Sequence, residues 1–174
     1  MMKKLIPLSL LCLLGAAATV RAQQPPVNIS EQRHPALAAA QRDCRAAWDK
    51  LAEAQKSNDW DMKGNAGRAK ELLTQAAEEL KAAAEAANAE AHAQQPRRSE
   101  PAGRGPEQDI SAERHPYLAA AQQLAMQAWQ DIVKAQEAND WDMGGHAEKA
   151  KGLIDEAAKA IKEAARAANT ARSR

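Results

Sequence analysis

The chain repeats itself. Asn58-Asp59-Trp60-Asp61-Met62 returns letter for letter as Asn139-Asp140-Trp141-Asp142-Met143, an offset of 81 residues. The same offset carries His34-Pro35 onto His115-Pro116 and Trp48 onto Trp129, and 32 of the 65 residue pairs between 29–93 and 110–174 are identical. A duplicated unit of this length fixes what has to be folded: one supersecondary element, built twice.

Within each unit the apolar residues recur at helical spacing. Leu37, Ala40, Cys44, Ala47, Leu51 and Ala54 advance by alternating threes and fours, with Trp48 flanking them. That is one face of an amphipathic helix. Pro35 suits its first position, where the missing N–H would have had no partner. Ala66, Ala69, Leu73, Ala76, Leu80, Ala83 and Ala87 make a second stripe, a strict heptad that the other unit keeps as Ala147, Ala150, Ile154, Ala157, Ile161, Ala164 and Ala168. Alanine in such a seam lets two helices approach closely. There is no Phe and only one Tyr, a composition suited to Ala-rich helices. The unit is therefore a helical hairpin, and Asp59 or Asp61 is placed to cap the start of its second helix.

A lone hairpin with an Ala stripe buries too little surface to order some sixty residues. Two hairpins laid together solve this. The expected fold is all-α, two tandem hairpins in an antiparallel four-helix bundle, and exchange of hairpins between two chains satisfies the same physics. The units divide as hairpin 1 over 34–92, a linker rich in Pro, Gly and Arg over 93–109, and hairpin 2 over 110–174. Residues 23–33 read as a flexible lead.

Residues 1–22 read as a secretory signal peptide. Lys3-Lys4 precede an apolar run from Leu5 to Leu14, and Val20-Arg21-Ala22 has the small-residue cleavage pattern. The run is too short to span a bilayer, which needs about 20 residues. The expected location is periplasmic or secreted, without stable membrane insertion after cleavage. Removing Lys3, Lys4 and Arg21 from the 24 Lys and Arg leaves 21 against 23 Asp and Glu, a net charge of −2. A nearly neutral chain is not an electrostatic nucleic-acid binder. Cys44 becomes the single cysteine, so no disulfide forms within the mature chain.

Two kinds of function fit these residues. In the first, the protein is a non-enzymatic structural or interaction protein whose turns, through Trp60, Trp141, Met62 and Met143, meet a periplasmic macromolecule or a second copy. In the second, it binds a divalent metal such as Cu, Ni or Zn through Asp140, Asp142 and His146, with Asp59 and Asp61 as the equivalent carboxylates. The plainer alternative for the same turns is structural: aspartates that cap, and apolar side chains that cover the hairpin end. No Ser or Cys has His and carboxylate partners at a catalytic spacing, so no enzymatic activity is expected.

The stretch Gly144-Gly145-His146-Ala147-Glu148-Lys149-Ala150-Lys151-Gly152-Leu153-Ile154-Asp155-Glu156-Ala157, with its counterpart from Lys63, resembles repeats of small exported bacterial Ala-rich helical proteins. It is also similar to the short Gly-His-x-x-x-Ala-x-x-Ala repeats of the periplasmic small metal-binding protein family. That resemblance implies divalent-metal sequestration, with His146 as the residue that matches the motif position.

Overall fold

A computed structural model describes residues 23–57, 62–90, 104–138 and 143–172. The expected signal peptide, the two Asn-Asp-Trp-Asp sequences and most of the linker lie outside the described residues. Four helices make the fold: α1 (Pro35–Ser57), α2 (Asn65–Glu90), α3 (Pro116–Ala138) and α4 (His146–Arg172). It is the all-α bundle that the periodicity predicts.

Pro35 and Pro116 open α1 and α3 at the first helical position. Ahead of each, one hydrogen-bonded turn brings His34 N–H onto the Ser30 carbonyl and His115 N–H onto the Ser111 carbonyl, both at 2.9 Å. The second helices do not start directly after Asp61 and Asp142. Three residues in left-handed backbone intervene in each repeat: Met62 (φ 52°), Lys63 (56°) and Gly64 (77°), then Met143 (52°), Gly144 (67°) and Gly145 (78°). A left-handed run disfavours any residue with a Cβ. It holds here because Met62 and Met143 are fully buried, so core packing outweighs the backbone cost.

The hairpins lie head to tail. Ala54 and Ser57 at the end of α1 share a cavity wall with Pro116 and Leu118 at the start of α3, and Asp43 feels the charges of Asp131 and Lys134. Glu79 of α2 reaches His146 and Lys149 at the start of α4. Equivalent helices of the two repeats therefore run antiparallel. They also pack most extensively, α1 on α3 and α2 on α4, ahead of the pairs within a hairpin. Alanine permits the close approach of α2 and α4: Ala69, Ala76, Ala83, Ala150, Ala157 and Ala164 are all fully buried, and a methyl side chain lets helix axes come close. Leu73, Leu80, Ile154 and Ile161 fill the space between the alanine layers, also fully buried. No described helix is long and apolar enough to cross a membrane.

The segment expected as a flexible lead, and the end of the expected linker, are parts of the fold. Residues 23–29 lie along hairpin 1 and residues 104–110 along hairpin 2. Each forms a strap across its own helix pair, with Pro25 and Pro106 buried and Ile29 and Ile110 packed on the core. The straps carry no apolar periodicity. They are held by polar contacts that a periodicity argument does not see.

Candidate functional site

The straps sit in two equivalent seats. In hairpin 1 the seat is Gln41 of α1, a fully buried amide. Its Oε1 accepts the backbone N–H groups of Asn28 (2.8 Å) and Ile29 (3.1 Å), while its Nε2 donates to Asn28 Oδ1 (3.2 Å) and the Ala77 carbonyl (3.1 Å). In hairpin 2, Gln122 Oε1 accepts the N–H groups of Asp109 (3.0 Å) and Ile110 (3.1 Å), and Nε2 donates to Asp109 Oδ1 (3.1 Å). A buried amide has to find partners, and here the partners are two consecutive backbone N–H groups and an Asx side chain. The bound segments share a pattern: Pro25-Pro26-Val27-Asn28-Ile29 and Pro106-Glu107-Gln108-Asp109-Ile110.

The flanks of the two seats differ. Strap 2 is held by charge: Lys162 of α4 binds Glu107 at 2.8 Å and Asp109 at 2.5 Å. The Lys162 ammonium and the Gln122 amide together hold the Asp109 carboxyl below its ordinary value. Gly105 passes so close to α3 that a Cβ there would meet Met126 Sδ at 2.8 Å and the Trp129 ring at 3.1 Å. Beside this strap a groove of about 520 Å³ opens between Arg104, Asp155 and Lys159. Strap 1 has neutral Pro26 and Asn28 at the positions of Glu107 and Asp109. Lys81, the counterpart of Lys162, pairs with Glu85 on its own helix at 3.6 Å. Strap 1 is held instead by Arg45, which donates to Gln24 Oε1 (2.6 Å) and the Pro25 carbonyl (3.2 Å), and by Thr74, which donates to the Gln23 carbonyl (2.6 Å).

Two further polar sets are duplicated. His34 Nε2 meets Asn88 Oδ1 at 3.2 Å and His115 Nε2 meets Asn169 Oδ1 at 2.9 Å, tying each hairpin's first helix to the end of its second. Lys70 Nζ stands 3.9 Å from the Trp48 ring centroid and Lys151 Nζ 5.4 Å from that of Trp129. Burial lowers the Lys70 ammonium below its usual value, with Asp49 opposing the shift. A cation over an indole face is stabilised by the ring quadrupole while the lysine stem covers the tryptophan.

Of the residues expected to meet a partner, Met62 and Met143 are fully buried; they anchor the turns and face no partner. Trp60 and Trp141 lie outside the described residues. So do the metal candidates Asp59, Asp61, Asp140 and Asp142. His146 is described, and its Nδ1 is 2.7 Å from Glu79 Oε2. Glu79 also takes Lys149 at 2.6 Å, and Lys149 first and His146 second hold its carboxyl below the ordinary value. His146 thus joins the two hairpins. Among the described residues, no three His, Cys, Asp or Glu side chains are grouped to hold a metal ion.

Apolar periodicity does not single out the seats Gln41 and Gln122 or the partners Asn88 and Asn169, although the sequence carries a signal for them. Each is a polar residue identical at the 81-residue offset and standing among apolar helix positions. Comparison of the chain with protein-family models, with curated proteins and with solved structures finds no match.

Proposed function

We propose that this is an exported, non-enzymatic helical-bundle protein with a structural or macromolecule-interaction role in the periplasm, working as a rigid two-headed unit. The observation that carries the reading is the head-to-tail packing. Met62–Gly64 and Met143–Gly145 stand at opposite ends of the bundle, each closing its own hairpin beside the open end of the other. The residues just before them are the same four, Asn-Asp-Trp-Asp, twice over. A sequence repeated next to the two ends of the bundle suits a protein that bridges two copies of one partner, and helices of 23–27 residues separate the ends by about 35–40 Å at 1.5 Å per residue. The polar groups between the ends support the same reading: the amide seats, the His–Asn pairs and the Lys–Trp pairs are spent on holding the unit together.

The test is capture by cross-linking in the periplasm, followed by measurement of how many copies of the captured partner each bundle holds. Two copies are expected on the wild-type protein, one on either Trp60→Ala or Trp141→Ala, and none on the double variant, with helical content unchanged. Undiminished capture by a well-folded double variant would remove the turns as the binding ends.

A further inference from the structure

The helix ridges on the two strap sides carry opposite charge. On α4 the exposed residues Lys159 and Arg166 are basic; at the equivalent positions of α2 stand Glu78 and Glu85, exposed and acidic. Asp155, Lys159 and Arg166 line the groove of about 520 Å³ beside strap 2. Thr74, the counterpart of Asp155, donates to the Gln23 carbonyl of strap 1. Thr74, Glu78, Lys81 and Glu85 follow one another at steps of four, three and four, which keeps them on one side of the helix. The acidic ridge therefore belongs to the strap 1 side of the bundle, as the basic ridge belongs to the strap 2 side.

Those sides lie opposite one another. With α1 on α3, α2 on α4 and the two hairpin pairs, the helices close a four-sided bundle in which the α1–α2 side is across from the α3–α4 side. A second bundle laid alongside by translation alone brings its α2 ridge to the first one's α4 ridge. The two helices then run antiparallel, as α2 and α4 do inside one bundle. In one register of that pairing Glu78 meets Arg166 of the next copy, Lys81 meets Glu163 and Glu85 meets Lys159, and all three pairs are opposite in charge. Pairing like ridges instead sets Glu78 against Glu85 on α2, or Lys159 against Arg166 on α4, and like charges oppose it. The partners these groups now have are neighbours on their own helices: Lys81 with Glu85 at 3.6 Å, Lys159 with Asp155 at 2.6 Å and Arg166 with Glu163 at 2.6 Å. Such exposed pairs contribute little, so exchanging them is cheap. Val27, 52% exposed, sits next to the acidic ridge: its neighbour Asn28 is bonded to Gln41, which is bonded to the Ala77 carbonyl.

We propose that the protein associates with a second copy of itself side by side, the α2 ridge of one bundle seated along the hairpin 2 groove of the next. Two different faces meet, so the contact does not close on a pair, and copies add in open rows. A matched register of ion pairs makes the contact specific while leaving it weak and sensitive to salt. The residues concerned lie along the sides of the bundle and not at its ends, so the proposal goes beyond the bridging role argued above and does not rest on it.

Sedimentation velocity of the mature chain over a range of protein concentrations reads the association. At about 0.01 M salt, where charges are felt over about 30 Å, the average mass should rise continuously with concentration. At about 1 M salt, where that distance is about 3 Å, the chain should sediment as a monomer. Two double variants test the register without changing net charge. Glu78→Lys with Arg166→Glu reverses one proposed pair and keeps it attractive, so association should stay within about 3-fold of the wild type. Glu78→Lys with Lys159→Glu sets like charges against Arg166 and against Glu85, and association should fall at least about 10-fold. All three positions are exposed, and circular dichroism checks that the helices persist. A monomer at every concentration and salt, growth that stops at a dimer, indifference to salt, or the same association in the two variants overturns the proposal.

Discussion

Hairpin 1 and hairpin 2 have the same backbone plan and nearly the same core, yet they hold themselves together with different chemistry. Where hairpin 2 pins its strap with Lys162, Glu107 and Asp109, hairpin 1 uses hydrogen bonds from Arg45 and Thr74 to main-chain carbonyl groups. Where hairpin 2 bends through Gly144, hairpin 1 bends through Lys63 with almost the same φ. Cys44 fills the space that Ala125 fills in the other copy. What survives between the repeats is what the bundle cannot do without: the Ala seam, the buried Met of each turn, the Gln seat and the His–Asn tie. What differs is surface charge and the means of closing each groove, and these are the features through which two copies of one hairpin acquire different uses.

The shared core carries the largest expected effect. Leu73 and Ile154 are equivalent, fully buried, and belong to the helices that pack against one another across the hairpin boundary. Truncating a buried Leu or Ile to Ala costs about 2–5 kcal/mol through lost transfer energy and the cavity left behind. Leu73→Ala and Ile154→Ala should fall in this range and within about 1 kcal/mol of each other. Both should unfold in a single urea transition, with circular dichroism and tryptophan fluorescence coincident. Two separate transitions would mean that each hairpin is stable alone and that the seam between them contributes little.

The turns sharpen the comparison by sign. A non-glycine residue in left-handed backbone costs about 1 kcal/mol, partly offset by the extra freedom glycine has when unfolded. Lys63→Gly should accordingly be neutral or stabilising by about 0.5 kcal/mol. The reverse change at the equivalent site, Gly144→Ala, should cost about 1–2 kcal/mol, because its φ is 67° and the new Cβ would come within 3.3 Å of the His146 ring and 3.4 Å of Ala86. Melting of both variants alongside the wild type reads the two signs. A destabilising Lys63→Gly would show that the lysine side chain contributes more than its backbone costs.

These turns mark where the sequence stops being legible. Heptad spacing in Ala66 to Ala87 and in Ala147 to Ala168 suffices to place four helices, and the 81-residue repeat makes them two hairpins. Neither tells which helix packs closest to which, because Ala lines more than one side of α2 and α4 and small side chains do not prefer one neighbour. The left-handed Met62 and Met143 run against residue propensity, and only the burial of their side chains explains them. The straps are the part of the fold least legible in the sequence. Pro25 to Ile29 and Pro106 to Ile110 resemble unstructured leader and linker in composition, and they become structural only through Gln41 and Gln122, thirteen residues farther along the chain.

An asymmetry of charge gives a pH-dependent effect of about 1 kcal/mol or less. Glu79 binds Lys149 and His146 across the hairpin boundary, and its counterpart in the other repeat is Ala160. Its carboxyl is held below the ordinary value when folded. The stabilisation is therefore present above the ordinary carboxylate pKa and lost as pH falls through the lowered folded value. Glu79→Gln should lower the urea midpoint at pH 7 and match the wild type at pH 2.5. A gap that stayed constant down to pH 2.5 would assign the loss to packing.

The smallest effect is expected at Cys44, where the two copies differ by one sulfur atom. The thiol is fully buried in the α1 seam, and burial pushes its pKa up to about 12. Thiolate, not thiol, attacks a disulfide reagent, so the native protein should be inert to one at pH 8, and labelling should follow the opening of α1 from α3. Cys44→Ala copies the residue that already packs at position 125 in the other repeat. It should cost no more than about 1 kcal/mol, the lower end of large-to-small changes. If labelling of the wild type keeps pace with global unfolding in urea, α1 separates from α3 only when the whole bundle opens. Labelling well below the urea midpoint would instead place the weaker half of the pseudo-symmetric core in hairpin 1.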